Sequence, residues 1–508
     1  MTGALPKVYE TVVHMLAAAD GDATALQCEG NCLTYTEYLR CVGGFAAELQ
    51  AIGAAGERLA LICGNSIHMA IASFAGHAAG AQIVPVNPIY TERELRIVLA
   101  DADPIAIVHD AGAADMVEPI AADLGIGHCI PVGDGGRSLD AWREDASARL
   151  PDVLPAPESL ATLQYTGGTT GLPKGVNITH RQLSVNISQR EAAWPLAAGD
   201  ERILCVMPLF HVFASSVCLH PAVYCRGTMV ILPRFHPAAV LGAIEAMRIT
   251  RLPAGPTILH GLMGFEGFAG RDFSSLRSVY SGSAPLPEET LRQWQAITGC
   301  PVLEGFGQTE SGPVLTANWQ GAEIVPGSVG KPLPLTEIEI VDVETGERVL
   351  AVGEQGEVRA RGPQVMSGYR DRAAETAATL RGDWLYTGDI GELDADGNLT
   401  IRDRKKDMVI SGGYNVYPRE IDEVLHGHPG VAEAAAVGIA DAYRGEVIVA
   451  YVVLNGDSNA SADTLIAHCA RNLAKYKVPS RIEIVAEIPK TIVGKIDKAA
   501  LRQMLAAV

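Results

Sequence analysis

Residues 165–176 read YTGGTTGLPKGV, a stretch with no apolar face at any period. Gly167, Gly168 and Gly171 let the backbone adopt positive φ and come close to a ligand, with N–H groups left to face anionic oxygens. Thr166, Thr169 and Thr170 add hydroxyl donors, and Lys174 adds a point charge. Alone, such a cluster is also what an ordinary surface loop looks like. As a ligand site it suits a polyphosphate. It is not a Walker loop, because Pro173 and Lys174 follow Leu172 where a Gly-Lys-Thr is needed.

Outward from this loop, strand-like apolar runs alternate with helix-like segments: RLALICG at 58–64, QIVPVN at 82–87, PIAIVHD at 104–110, RILCVMP at 202–208, TMVILP at 228–233, LRSVYSG at 276–282 and CPVLEGFG at 300–307. That alternation predicts layered α/β structure with largely parallel sheets. From residue 338 to 361 the texture changes to hairpin-like segments, a smaller β-rich unit. A charge-dense junction at 402–407 precedes a compact α+β pattern that includes a helix from about 462 to 476. The boundary is expected near Arg404, giving an N-terminal domain over 1–403 and a C-terminal domain over 404–508. The length, 508 residues, suits more than one domain.

With 40 basic and 59 acidic residues, the formal charge is −19, which argues against general binding of nucleic acid or anionic membrane. The longest apolar stretch, 69–86, is interrupted by His77, glycines and Gln82, and reads as a buried helix running into a strand rather than a membrane span. Residues 1–13 lack the basic region and apolar core of a signal peptide, and the ten cysteines show no zinc or disulfide spacing. A cytoplasmic, reduced protein is expected. A homodimer is left open.

Further motifs follow in order: PLFHVF at 208–213, SGSAPL at 281–286, EGFGQTE at 304–310, YTGD at 386–389, DRKKDMVISGGYNVYPREI at 403–421 and PKTIVGKIDK at 489–498. Together with the Thr/Gly loop, they resemble the adenylate-forming (ANL) superfamily over nearly the whole chain. The resemblance is greatest to its acyl-CoA synthetases, the fatty-acyl-CoA ligase family. It implies a large N-terminal domain, a small mobile α+β C-terminal domain, and use of ATP, Mg²⁺ and coenzyme A with a small-molecule carboxylic acid.

By that resemblance, Thr166, Gly167, Gly168, Thr169, Thr170 and Lys174 grip the β- and γ-phosphates. Ser283, Ala284 and Pro285 line the base together with Glu304, Gly305, Phe306 and Gly307, with Phe306 stacking on adenine where a Tyr is usual. Thr309 reaches the α-phosphate, Glu310 binds Mg²⁺, and Asp389 and Arg404 hold the ribose. Lys495 offsets the repulsion between the substrate carboxylate and the α-phosphate. His211 lies beside that carboxylate, although a lone His among apolar residues is more often a core residue than a catalyst. Lys406 falls on the hinge position. Gly412 and Gly413 let the pantetheine chain pass, and Arg444 is either a CoA phosphate contact or a surface charge.

The acyl pocket, by the same resemblance Val212, Phe213, Ser216, Gly282 and Gly305, is uncharged and suits an apolar monocarboxylate. Gly305 stands where malonate-activating relatives carry an Arg, against a dicarboxylate. A medium- or long-chain fatty acid is expected. The alternatives are an aryl or hydroxycinnamic acid, or a stand-alone adenylation enzyme that loads a carrier protein.

Overall fold

The computed structural model describes residues 5–19, 21–166, 173–411, 414–441, 444–456, 458–491 and 495–506. Helix Ile67–Ala78, capped by the Ser66 hydroxyl, is apolar on nearly every face and almost wholly buried. A helix of that kind needs neighbours all round it. It finds them in the central core, which unites residues of two large sheets with Val42, Phe45, Phe74 and Leu183 from the helices between them.

Among the described residues, the first sheet has nine strands and the second seven. In the first, Arg202–Cys205, Thr228–Ile231, Arg251–Pro253, Ser278–Ser281 and Val302–Gly307 run parallel. In the second, the parallel strands are Arg58–Ile62, Gln82–Pro85, Ala106–Asp110, His128–Val132 and Leu160–Thr166. Separate apolar clusters cover their outer faces: Val240, Leu259 and Trp294 on the first, Leu95, Val98 and Ile120 on the second. The order is therefore helix, sheet, helix, sheet, helix, the layered α/β class that the alternating runs predict.

Helix Thr179-capped His180–Ala193 departs from that apolar rule, since it is buried yet polar. Its Asn186 and Gln189 answer the carbonyls of Val314 and Pro334, so the burial is matched by hydrogen bonds at those two positions.

A five-stranded antiparallel sheet follows, with Glu337–Val341, Gly356–Arg361, Trp384–Leu393 and Leu399–Arg404 as its main members. Beyond it, Val409–Ser411, Tyr414–Val416, Val431–Asp441, Gly445–Leu454 and Arg481–Ile484 form another sheet with its own core around Ile421, Leu425 and Ala450. The charge-dense junction at 402–407 thus lies where one sheet ends, at Arg404, and the short turn Lys405–Asp407 leads toward the next. The helix expected over 462–476 ends at Asn472, and residues Lys475–Lys477 form a separate turn. No helix among the described residues is long and apolar enough to cross a membrane, and all ten cysteines are free.

The two parts meet closely. The Arg419 guanidinium donates to the carbonyl of Ile401 at 2.7 Å, its backbone N–H donates to Asp403 at 3.0 Å, and the His426 and His260 rings lie edge to face, 6.5 Å apart.

Candidate active site

Strand Val302–Gly307 carries Glu304, Gly305 and Phe306 and runs into the turn Thr309–Ser311. A side chain at Gly307 would put Cβ 1.9 Å from the carbonyl oxygen of Pro313, so only glycine lets the chain double back here. Thr309 is buried, and the Glu310 carboxylate accepts from the Tyr369 hydroxyl at 2.8 Å. The Tyr369 ring in turn lies under the Lys174 ammonium, 4.3 Å from the centroid. Lys174 opens strand Lys174–Thr179 and is the register partner of Thr166. Two motifs far apart in sequence, one on each large sheet, therefore converge on Tyr369. Gly167, Gly168, Thr169 and Thr170 lie outside the described residues, as do Gly412 and Gly413.

The PLFHVF segment is tied to the same place by Gln164, whose amide donates to the Phe210 carbonyl at 3.1 Å. His211 caps the short helix Val212–Ala214, its Nδ1 accepting from the Phe213 N–H at 3.2 Å. That bond puts the proton of the neutral ring on Nε2. The ring stays neutral because burial, then the charge of Lys495, hold its pKa down to about 4.

Ser283 has φ +68°, a left-handed turn directly after strand Ser278–Ser281, and Ala284 and Pro285 follow it. Ser281 is paired with Glu304, whose carboxylate also accepts the N–H of Leu286. Burial pushes Glu304 up to about 7, against the opposing charge of Arg419 from the C-terminal part. Phe306 packs against the core of the five-stranded sheet, beside Val358 and Leu399.

Asp389 lies within strand Trp384–Leu393, not in the turn that a Gly-Asp pair suggests, and its cross-strand partner is Arg404. Arg404 Nε is 2.9 Å from Asp389 Oδ1, while Oδ2 is buried with no hydrogen-bond partner. Burial outweighs the ion pair and lifts Asp389 to about 6. Lys495 completes the cluster. Its pKa is lowered, first by burial and then by Arg404, with Asp389 acting in the opposite direction. A lysine from the C-terminal end is thus seated within electrostatic reach of Asp389, Arg404 and His211.

Around the expected acyl pocket, a Cβ at Gly282 would lie 2.9 Å from Phe213, and one at Gly305 would lie 3.0 Å from Trp194. Trp194, stacked on Tyr280 with centroids 4.5 Å apart, is a wall that the sequence motifs did not mark. Ser216 is buried in the turn of helix that follows Val212. Lys406 is exposed in the turn Lys405–Asp407. Arg444 is exposed, its backbone N–H bonded to the Asp441 carboxylate at 2.7 Å.

Among the described residues, no group of three or more metal-ligating side chains is found. A single carboxylate such as Glu310 fits Mg²⁺, which takes most of its ligands from phosphate oxygens and water. The orphaned Asp389 Oδ2 fits a partner that brings hydroxyl donors.

Residues 14–370 match the AMP-binding enzyme family and residues 420–495 match the AMP-binding enzyme C-terminal domain. The chain belongs to the AMP-binding enzyme family. This AMP-binding enzyme is 36% identical to a long-chain-fatty-acid–CoA ligase of Bacillus subtilis, over 97% of this chain and 94% of that protein. It is also 36% identical to a feruloyl-CoA synthase of an Amycolatopsis species, over 95% and 96% of the two chains. Among solved structures it is similar to ATP-bound MatB from Rhodopseudomonas palustris, with 31% identity, a TM-score of 0.90, and 97% of this chain and 99% of that one covered. The likeness extends over both parts of the AMP-binding enzyme, as the resemblance of the motifs implied.

Proposed function

We propose that this AMP-binding enzyme is an ATP-dependent carboxylate–CoA ligase. In the first step a carboxylate oxygen attacks the α-phosphorus of ATP, the bond to the bridging oxygen breaks, and pyrophosphate leaves. In the second the thiol of coenzyme A attacks the acyl carbon of the mixed anhydride, loses its proton, and AMP departs.

The observation that carries this reading is that Lys495 lies within electrostatic reach of Asp389, Arg404 and His211. A cation held there offsets the repulsion of two anions brought together, which is the chief obstacle to the first step. Asp389 Oδ2 would accept from the ribose hydroxyls, with Arg404 fixing the other oxygen. His211, neutral and protonated on Nε2, would donate to the substrate carboxylate. Thr166 and Lys174, with Gly167, Gly168, Thr169 and Thr170, would hold the departing phosphates. Mg²⁺, when bound, supplies neutralising charge there, with Glu310 as its carboxylate ligand. Ser283, Ala284 and Pro285, with Phe306, would flank the base.

Thioester formation needs a path for the thiol, which an inward Lys495 obstructs. The domain boundary is placed after residue 403, with Lys406 as the hinge on which the C-terminal domain turns. Gly412, Gly413 and Arg444 would then meet coenzyme A.

The preferred acid is a medium- or long-chain fatty acid, a reading supported by the uncharged surroundings of Val212, Phe213, Ser216, Gly282 and Gly305 and by the fatty-acid ligase among the relatives. The feruloyl-CoA synthase at equal identity favours an aryl acid as the second reading. Pyrophosphate and thioester production are measured over fatty and aryl acids, with free coenzyme A or a carrier protein as acceptor. Thioester formed with free coenzyme A from a fatty acid is expected. Pyrophosphate without acyl-CoA would defeat the CoA-ligase assignment in favour of the carrier-loading one.

A further inference from the structure

Helix Pro418–His426 divides its side chains between the two parts of the chain. Ile421 and Leu425 enter the core of the C-terminal sheet, Glu420 pairs with Lys477, and the Asp422 carboxylate accepts the Ala436 N–H at 2.6 Å. Arg419, Glu423 and His426, spaced four and three residues apart, share another face and meet the N-terminal part instead. The Arg419 guanidinium donates to the Ile401 carbonyl at 2.7 Å, and the His426 ring lies edge to face with His260. Burial raises the pKa of Glu423, and Arg419, His426 and the backbone N–H of Glu288, which opens helix Glu288–Thr298, act against it.

Arg419 carries most of this contact. Its side chain is only 12% exposed, its hydrogen bond crosses the boundary, and Glu423, the acid one turn along its own helix, stays 3.7 Å away. Its charge also faces the buried Glu304 carboxyl, on the strand that leads to Phe306 and Thr309. Asp403, just before the turn Lys405–Asp407, collects the Arg419 N–H at 3.0 Å and the Lys498 ammonium at 3.4 Å.

The docked face and Lys495 belong to one packed unit. Along strand Val431–Asp441, Ala434 and Ala436 pack with Ile421 and Leu425, while Ala435 and Val437 pack on the opposite face with Ile496 and Leu501. Ile496 directly follows Lys495 and bridges to Lys490, and Leu501 lies in helix Lys498–Ala506. Whatever fixes helix Pro418–His426 on the N-terminal part therefore fixes Lys495 as well, through a single sheet.

We propose that Arg419 is a positioning residue for the first step, whose bonds across the boundary hold the C-terminal part in the pose that brings Lys495 to the site. The inference rests on the two-step ligase reading and adds to it a residue that touches neither nucleotide nor acid. Turning about Lys406 leaves Ile401 and Asp403 behind on strand Leu399–Arg404, while Arg419 and Lys498 travel with their own sheet. These bonds must then break before the second step.

The test uses the full chain carrying Arg419→Met, which keeps the aliphatic stem and removes the charge and the donors. ATP–pyrophosphate exchange should fall by about tenfold or more, as for loss of a hydrogen bond from a charged donor, while acyl-CoA formation from supplied acyl-adenylate stays within about threefold or rises. In the Lys495→Ala background the same substitution should lower exchange by less than about twofold, because it acts only through Lys495. The ratio of the two steps within one preparation does not depend on how much of the variant is folded. Unchanged exchange, equal loss of both steps, or a loss in the Lys495→Ala background as large as in the parent would overturn the inference and leave the ligase reading standing. A parent enzyme that gives neither exchange nor acyl-CoA with any acid would overturn both.

Discussion

Arg404 and Asp389 face each other across adjacent antiparallel strands, with Nε 2.9 Å from Oδ1. Arg404 is the last residue of its strand, and the turn Lys405–Asp407 begins directly after it. The residue paired with the Asp389 carboxylate is thus bonded to the first residue of the connection to the C-terminal part. On the proposed reading, any rotation there starts from a point fixed on Asp389.

If Asp389 accepts from the ribose as proposed, nucleotide binding should depend on pH. Its carboxyl is lifted by burial to about 6, so AMP, which needs the ionised acceptor, should bind more tightly as pH rises through that value. Relative to neutral pH, roughly tenfold in affinity should be lost by pH 5, measured by calorimetry. For folding the sign is opposite. A raised carboxyl favours the folded apo form below its unfolded value of about 4, and that contribution is lost as pH rises through about 6. Asp389→Asn should flatten both profiles.

Tyr369→Phe keeps the ring beneath Lys174 and removes the hydroxyl that donates to Glu310. The loss of one hydrogen bond to a carboxylate, about 1 to 2 kcal/mol, should raise KM for Mg·ATP by roughly five- to thirtyfold. Initial rates over a magnesium titration check this, and an unchanged KM would separate Tyr369 from the metal end of the site.

Gly282→Ala tests the acyl wall. The new Cβ would meet the far end of the Phe213 ring at 2.9 Å, a side chain that can rotate, so the protein should still fold. The pocket narrows instead, and kcat/KM should fall about tenfold for bulky aryl acids and less for straight chains.

Lys406→Pro would fix φ at the exposed turn. Pyrophosphate exchange should persist while acyl-CoA formation drops by about tenfold or more, because the first step uses the pose in which Lys495 is already inward. Quench-flow detection of an accumulating acyl-adenylate would register the block, and equal loss of both steps would remove the hinge role.

The layered α/β order was legible because runs such as RLALICG and TMVILP are buried on both faces and so continuously apolar, which is what parallel strands between helices require. Asp389 and Glu310 were candidates through the resemblance of their motifs. Tyr369 was not, since it reaches Glu310 across a two-stranded contact that closes far apart in sequence and leaves no periodic trace. The helix expected to reach residue 476 stops at Asn472, where Leu473 turns to an extended conformation.

The central claim is that a C-terminal lysine completes the N-terminal site for the first step alone. Its most direct test is Lys495→Ala, measured for ATP–pyrophosphate exchange with the best acid and, separately, for acyl-CoA formation from supplied acyl-adenylate. Exchange should fall by about a hundred- to a thousandfold, with the second step retained within a few fold. Exchange that survives the substitution, or loss of both steps together, would contradict the account.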